Sequence, residues 1–184
     1  MGYSYTSEAV FEKDVISLLK DWGWTDGVLE YPSEEDLLDN WKSILFKNND
    51  SVDCLNGCPL TDGEMHQILE QIAELHSPYL LNGWINGRSV AIKRDNEDDK
   101  LHFGETVSLK IYDRKEIAGG HSTYQIAQQP QCKARDELRR DMRGDLELLI
   151  NGMPVIHIEL KKSGIPISKA EYQIQRNYHN AAFT

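Results

Sequence analysis

Asp145, Glu159 and Lys161 fall on two adjoining β-rich stretches, Arg143-Gly-Asp-Leu-Glu-Leu-Leu-Ile150 and Met153-Pro-Val-Ile-His-Ile-Glu-Leu-Lys-Lys162. Two carboxylates and an ammonium on neighbouring strands suit phosphodiester hydrolysis: oxygens hold a hard divalent cation, and a positive side chain stands beside the attacking water.

That chemistry requires a particular strand register. Asn151-Gly152 is a strong hairpin signal between the two apolar runs. A two-residue loop would pair Ile150 with Met153 and set Asp145 opposite Ile158, sending the carboxylates to opposite faces. A three-residue loop, Asn151 to Met153, pairs Leu148 with Ile156, Leu146 with Ile158 and Asp145 with Glu159. The three-residue loop is therefore expected, since it gathers Leu146, Leu148, Ile150, Ile156, Ile158 and Leu160 on one face. Asp145, Glu147, His157, Glu159 and Lys161 share the other. Opposed carboxylates about 4.5–5.5 Å apart at Cβ repel, and one pKa rises unless a cation lies between them. Lys161 either stabilises the pentavalent phosphate or orients the water. His157 either contacts substrate or water, or is an ordinary half-buried strand histidine. The competing reading of the whole face is a set of solvated surface charges.

The elements that must position these groups are legible in outline. Ser7 is a fair N-cap for a helix over 7–21, with Ala9, Phe11, Val15, Ile16, Leu19 and Trp22 at amphipathic spacing. Helices are also predicted at 35–46 and, with Ile68, Leu69, Ile72 and Leu75 facing a core, at 64–76. Residues 50–62 read as a loop. Strands are expected at about 88–93, 105–113 and 122–129, separated by the acidic 95–99 turn and Gly119-Gly120. A last helix is expected near Lys169, capped by Ser168. The fold class is mixed α/β, a mixed central sheet flanked by helices.

The aspartate, the Asn-Gly-Met-Pro turn and Ile-Glu-Leu-Lys-Lys resemble the PD-(D/E)xK nuclease core. They are most similar to the N-terminal endonuclease domain of the R (restriction) subunit of type I restriction-modification enzymes. The resemblance runs from about Ser7 to Tyr178: an opening helix closed by Trp22-Gly23-Trp24, the Tyr124–Gln129 stretch before the aspartate, and Ala170–Arg176 after the lysine. It implies Asp145, Glu159 and Lys161 as catalytic residues, with Asp145 and Glu159 binding Mg2+ or Mn2+. An Ile158 or Leu160 carbonyl is an added candidate ligand. An acid on the first helix completes the shell, directly or through water; Glu12 is chosen over Glu8, which complements the helix dipole. Gln173 matches the family's Gln-x-x-x-Tyr motif, but position 177 holds Asn and Tyr178 comes one residue later. Only Gln173 is carried over.

At 184 residues, with 40% hydrophobic and 27% charged side chains, the composition is that of one globular domain, 1–184. The polar opening Tyr3-Ser-Tyr-Thr-Ser-Glu8 predicts no signal peptide, and no apolar run approaches the ~20 residues of a membrane helix. Cys54, Cys58 and Cys132 are an odd set, expected as reduced thiols of a cytoplasmic protein. A net charge of −10 opposes free-standing duplex binding, which comes largely from Lys and Arg on phosphates. Residues 131–184 nevertheless carry nine basic and seven acidic side chains, among them Arg135, Arg139, Arg140, Arg143, Lys162, Lys169 and Arg176. Asn82-Gly83 and Asn86-Gly87 read as tight turns, and no Gly-Lys-Ser/Thr phosphate loop follows them.

The expectation is a Mg2+-dependent endonuclease that cleaves double-stranded DNA without its own sequence choice. The resemblance implies an N-terminal fragment of a longer motor protein, with ATP used only in downstream domains and with modification and specificity subunits as partners. The rivals are a repair or recombination nuclease with the same core, and a noncatalytic DNA-docking or interaction module.

Overall fold

A computed structural model describes residues 7–75, 77, 80, 89–111, 122–132 and 142–179. Arg135, Arg139, Arg140 and the turns at Asn82, Asn86 and Gly119 lie outside the described residues. The side chains of Arg176 and Tyr178 do too. The chain divides into two compact units, Met1–Leu37 with Thr123–Thr184, and Leu38–Ser122.

In the first unit α1 (Glu8–Asp21) precedes β1 (Val28–Glu30), and after the excursion into the second unit come β4 (Tyr124–Gln128), β5 (Gln131–Cys132), β6 (Met142–Arg143), β7 (Leu146–Ile150), β8 (Met153–Ile158) and α4 (Ile167–His179). The main sheet has the order β1-β4-β7-β8, parallel between β1 and β4 and antiparallel elsewhere, so it is mixed as expected. Ser7 caps α1, accepting from Val10 N at 3.2 Å. Ile16 and Leu19 of the helix pack with Ile126, Leu146, Leu148 and Leu160, and Phe11, Val15 and Ile158 join them. Ala9 and Trp22, expected on this stripe, are exposed. So is Ile156, on the edge strand β8.

The hairpin corrects the expected loop while keeping most of the expected pairing. Asn151 and Gly152 alone form the turn, both at positive φ (52° and 83°), as a two-residue turn that matches strand twist requires. Ile150 therefore pairs with Met153, and Leu149 with Pro154. A β-bulge then leaves Val155 as the extra residue and restores Leu148 to Ile156 and Leu146 to Ile158. Pro154 has no N–H to give to a ladder, and an edge strand beside a bulge is where a proline is tolerated. The bulge does what the third loop residue was expected to do.

In the second unit α2 (Glu34–Asn49), which begins in the first, leads to α3 (Asp62–Ala73) and the antiparallel pair β2 (Ser89–Lys93) and β3 (Thr106–Lys110). The amides of Gln67 and Gln71 bond the open edge of β2, and Asn49 bonds both the N–H and C=O of Lys110 on β3. Two-stranded sheets are marginal alone, and these side chains take up edge groups that would otherwise be unpaired. The face of α3 differs from expectation: Glu64, Met65 and Ile68 are buried, whereas Leu69 is exposed. The last helix starts at Ile167, before the Ser168 expected to cap it. Among the described residues no helix is long and apolar enough to cross a membrane.

Candidate active site

Asp145 stands immediately before β7 and Glu159 immediately after β8, so the ladder that pairs Leu146 with Ile158 brings both carboxyls to the same end of the sheet. Asp145 Oδ2 accepts the Leu160 N–H at 2.6 Å, a bond from the opposite strand that fixes the carboxyl's orientation. The Lys161 ammonium lies 2.7 Å from Glu159 Oε1 and 2.8 Å from the Leu160 carbonyl oxygen. It is the cation bound by those two oxygens here. The structure thus brings together Asp145, Glu159 and Lys161.

Burial first, and then the Glu159 charge, push Asp145 up to about 6 against the opposing pull of the Leu160 N–H and Lys161. Glu159 moves the other way. Burial would raise it, but bonding to His157, Lys161 and Asp145 outweighs burial and lowers it. His157 Nε2 lies 3.6 Å from Glu159 Oε2, and its Nδ1 lies 3.7 Å from Glu147 Oε1 across the ladder. Burial alone would lower the imidazole, yet these two acids carry it up to about 9. His157 is thus an acid-bridging residue on the expected face.

The two acids offer carboxylate oxygens, the donor type that a hard divalent cation takes, and Glu159 Oε2 has no partner closer than His157 Nε2 at 3.6 Å. Among the described residues, no group of three or more His, Cys, Asp or Glu is arranged to hold a metal. Glu12 is 4% exposed and is bound by two amides: Gln128 donates to its Oε1, and Gln129 Nε2 lies 3.2 Å from Oε1 and 3.0 Å from Oε2. Glu8 Oε1 lies 3.4 Å from the Lys162 N–H. Gln173 is half-buried on α4, and no hydrogen bond among the described residues joins it to Lys161 or the acidic pair.

Sequence reasoning missed the Leu160 N–H, Glu147 and the two glutamines. Glu147 was placed on the correct face, but its pairing with His157 was not drawn out. Adjacent glutamines at a strand end gave a weak signal, because their partner Glu12 is over a hundred residues away in sequence.

The chain matches the family model of the type I restriction enzyme R protein N terminus over residues 5–183. It is 34% identical over 172 residues to the type I restriction enzyme SsaAORF53P endonuclease subunit of Staphylococcus saprophyticus, covering 94% of this chain and 16% of that one. It is 29% identical over 178 residues to the SauMSSORF170P endonuclease subunit of Staphylococcus aureus, covering 94% and 17%. Identity to the EcoprrI endonuclease subunit of Escherichia coli is 26% over 181 residues, covering 94% and 50%. The chain therefore spans a small part of the staphylococcal relatives and half of the third.

Proposed function

We propose that this chain, which belongs to the type I restriction enzyme R protein N-terminus family, is a metal-dependent endonuclease domain that hydrolyses DNA without sequence choice of its own. The convergence of Asp145, Glu159 and Lys161 at one sheet end carries this reading.

Asp145 and Glu159 would hold Mg2+, with Mn2+ as a substitute and Glu12 as the third acid. When bound, the ion supplies Lewis acidity at the phosphate and a more acidic water. The protein's own part is orientation and charge. The Leu160 N–H holds Asp145 in place. Lys161 offers its ammonium to the phosphate or orients the water, and Gln173 positions the lysine, the phosphate or the DNA backbone.

A net charge of −10 supports a division of labour in which other parts of a longer protein and its assembly grip the duplex. Residues 1–184 act as one endonuclease domain in the cytoplasm. Modification and specificity subunits provide recognition, and ATP serves motor domains outside this chain.

In the complete enzyme, Asp145→Ala and Lys161→Ala are each expected to cut cleavage by about 10³-fold with the fold retained by circular dichroism. Undiminished cleavage by either variant rejects the reading. Mn2+ titration of this chain separates the noncatalytic alternative: binding that Asp145→Ala abolishes supports a metal site, and no binding favours a docking module.

A further inference from the structure

Gln129 follows β4 with its backbone in the left-handed region, at φ 51°. A residue with a Cβ is disfavoured there, and glycine, asparagine or aspartate is the usual occupant. Two bonds depend on this residue. Its main-chain N–H donates to the Asp145 carbonyl at 2.8 Å, extending the β4–β7 ladder one step past Gln128 and Leu146. Its side-chain Nε2 reaches both oxygens of Glu12, at 3.0 and 3.2 Å, while Gln128 donates to one of the same oxygens.

A nearly fully buried carboxylate needs donors, and Glu12 takes them from the strand end that leads to Asp145. Backbone strain persists where the surrounding bonds over-determine it, which is common at functional sites. Here one residue in a disfavoured conformation makes both bonds.

We propose that Gln129 is a positioning residue of the acidic site. Through its main chain it fixes Asp145, and through its amide it fixes Glu12, so the acid of α1 and the strand-end aspartate are held in one frame for a divalent cation. This rests on reading Asp145 and Glu159 as metal ligands.

The test is Mn2+ titration of this chain with Gln129→Gly, which keeps the N–H and favours positive φ but removes the amide. Gln129→Asn is the second variant; it tolerates the same backbone, yet its amide is one methylene too short. Each is expected to weaken Mn2+ binding about 10-fold, as for groups that orient ligands, and to lower the thermal midpoint only modestly, because Gln128 still donates to Glu12. Glu12→Gln should weaken it comparably. Adding Gln129→Gly to Glu12→Gln should then cost less than about twofold more, because the two act through one contact. In the complete enzyme, the Mn2+ concentration for half-maximal cleavage should rise by the same factor while KM for DNA holds. Unchanged affinity in both Gln129 variants, with Asp145→Ala abolishing binding, overturns the role of Gln129 and leaves the metal reading standing. Full, independent losses in the double variant also overturn it. Failure of the unaltered chain to bind Mn2+ overturns the metal reading and this role with it.

Discussion

In the unit Leu38–Ser122 the Arg94 guanidinium lies between Glu64 and Asp99, and all four acidic oxygens meet donors. Arg94 Nη1 lies 2.6 Å from Glu64 Oε2, which also accepts the Thr61 N–H, and Glu64 Oε1 takes the Asp95 N–H. Arg94 Nε lies 3.0 Å from Asp99 Oδ2, and Asn56 and the His102 N–H reach Asp99 Oδ1. In the other unit Asp145 is pushed up to about 6, and Glu159 Oε2 has the His157 imidazole as its partner only at 3.6 Å. Both clusters bury carboxylates, but the first meets every oxygen with a close hydrogen bond and the second does not. Complete satisfaction marks a structural cluster; acids with oxygens left over have capacity for something from outside.

Breaking the satisfied cluster should cost most. Arg94→Ala leaves two buried acids without their cation and is expected to destabilise the protein by about 3–5 kcal/mol in urea unfolding. Lys161→Ala removes the ammonium from a buried Glu159, but the lysine is itself 18% exposed and His157 stays 3.6 Å from the other oxygen, so the expected cost is smaller, about 1–2 kcal/mol. Equal losses at the two lysine and arginine sites would erase the distinction between the clusters.

The pH response sharpens it, because the raised Asp145 and the lowered Asp99 slope in opposite directions, with the lowered Glu159 partly offsetting Asp145 in its own unit. Asp145 titrates near 6 in the fold against an ordinary value of 3.8, so between those pH values the folded state keeps a proton that the unfolded chain has released. Stability from this group is complete below 3.8 and falls as pH rises to about 6. The change is about 1–2 kcal/mol after allowing for solvent screening. His157, carried up to about 9 from 6.5, acts in the same sense: its contribution is present below 6.5 and lost as pH rises through 9. Asp99 acts in the opposite sense. Burial would raise it, but Arg94, Asn56 and His102 together hold it below 3.8. Its contribution is present above that value and lost as pH falls through the folded one. Hydrogen exchange in chelator, corrected for intrinsic rates, should show the core amides of β7 better protected at pH 4 than at pH 7, whereas the Leu160 N–H, whose bond favours the ionised Asp145, is not the reporter. Amides around Arg94 should lose protection only on further acidification. Asp145→Asn should flatten the first slope, and parallel slopes in the two units would contradict the comparison.

The two clusters also differed in how readable they were. The acidic pair was legible because Asn151-Gly152 and the alternation around it constrain a local hairpin. Even there the loop length was misjudged. Hydrophobic alternation fixes which residues face together, but not whether the extra residue sits in the turn or in a bulge, and Pro154 was the neglected sign. The short strand Val28–Glu30 and the two-residue pair β5–β6 are too brief to carry a periodic signal. The Arg94 cluster went unread because its members are spread over residues 56–102 in what looked like a polar loop, a helix start and an acidic turn. Charged residues in such places are usually solvated, and only tertiary closure buries them. One signal was available: Thr61-x-x-Glu64 is a capping box, with both reciprocal bonds present in the structure.

That box sets up a last contrast, between two helix caps. Ser7 and Thr61 both cap helices, each accepting from the third residue on, at 3.2 and 3.1 Å. Among the described residues Ser7 is bonded by Val10 and Phe11 of its own turn, so Ser7→Ala should cost about 0.5–1 kcal/mol, a bare cap. Thr61 does more: its hydroxyl also donates to Asp95, and its N–H is bound by the same Glu64 that holds Arg94. Thr61→Ala is therefore expected near the upper end for a cap, about 2 kcal/mol, with a non-additive interaction when combined with Arg94→Ala. A double-mutant cycle in urea measures that term. Simple additivity would mean that the cap and the ion cluster are separate devices that happen to share a glutamate, and the contrast between a wired and an unwired helix start would fall.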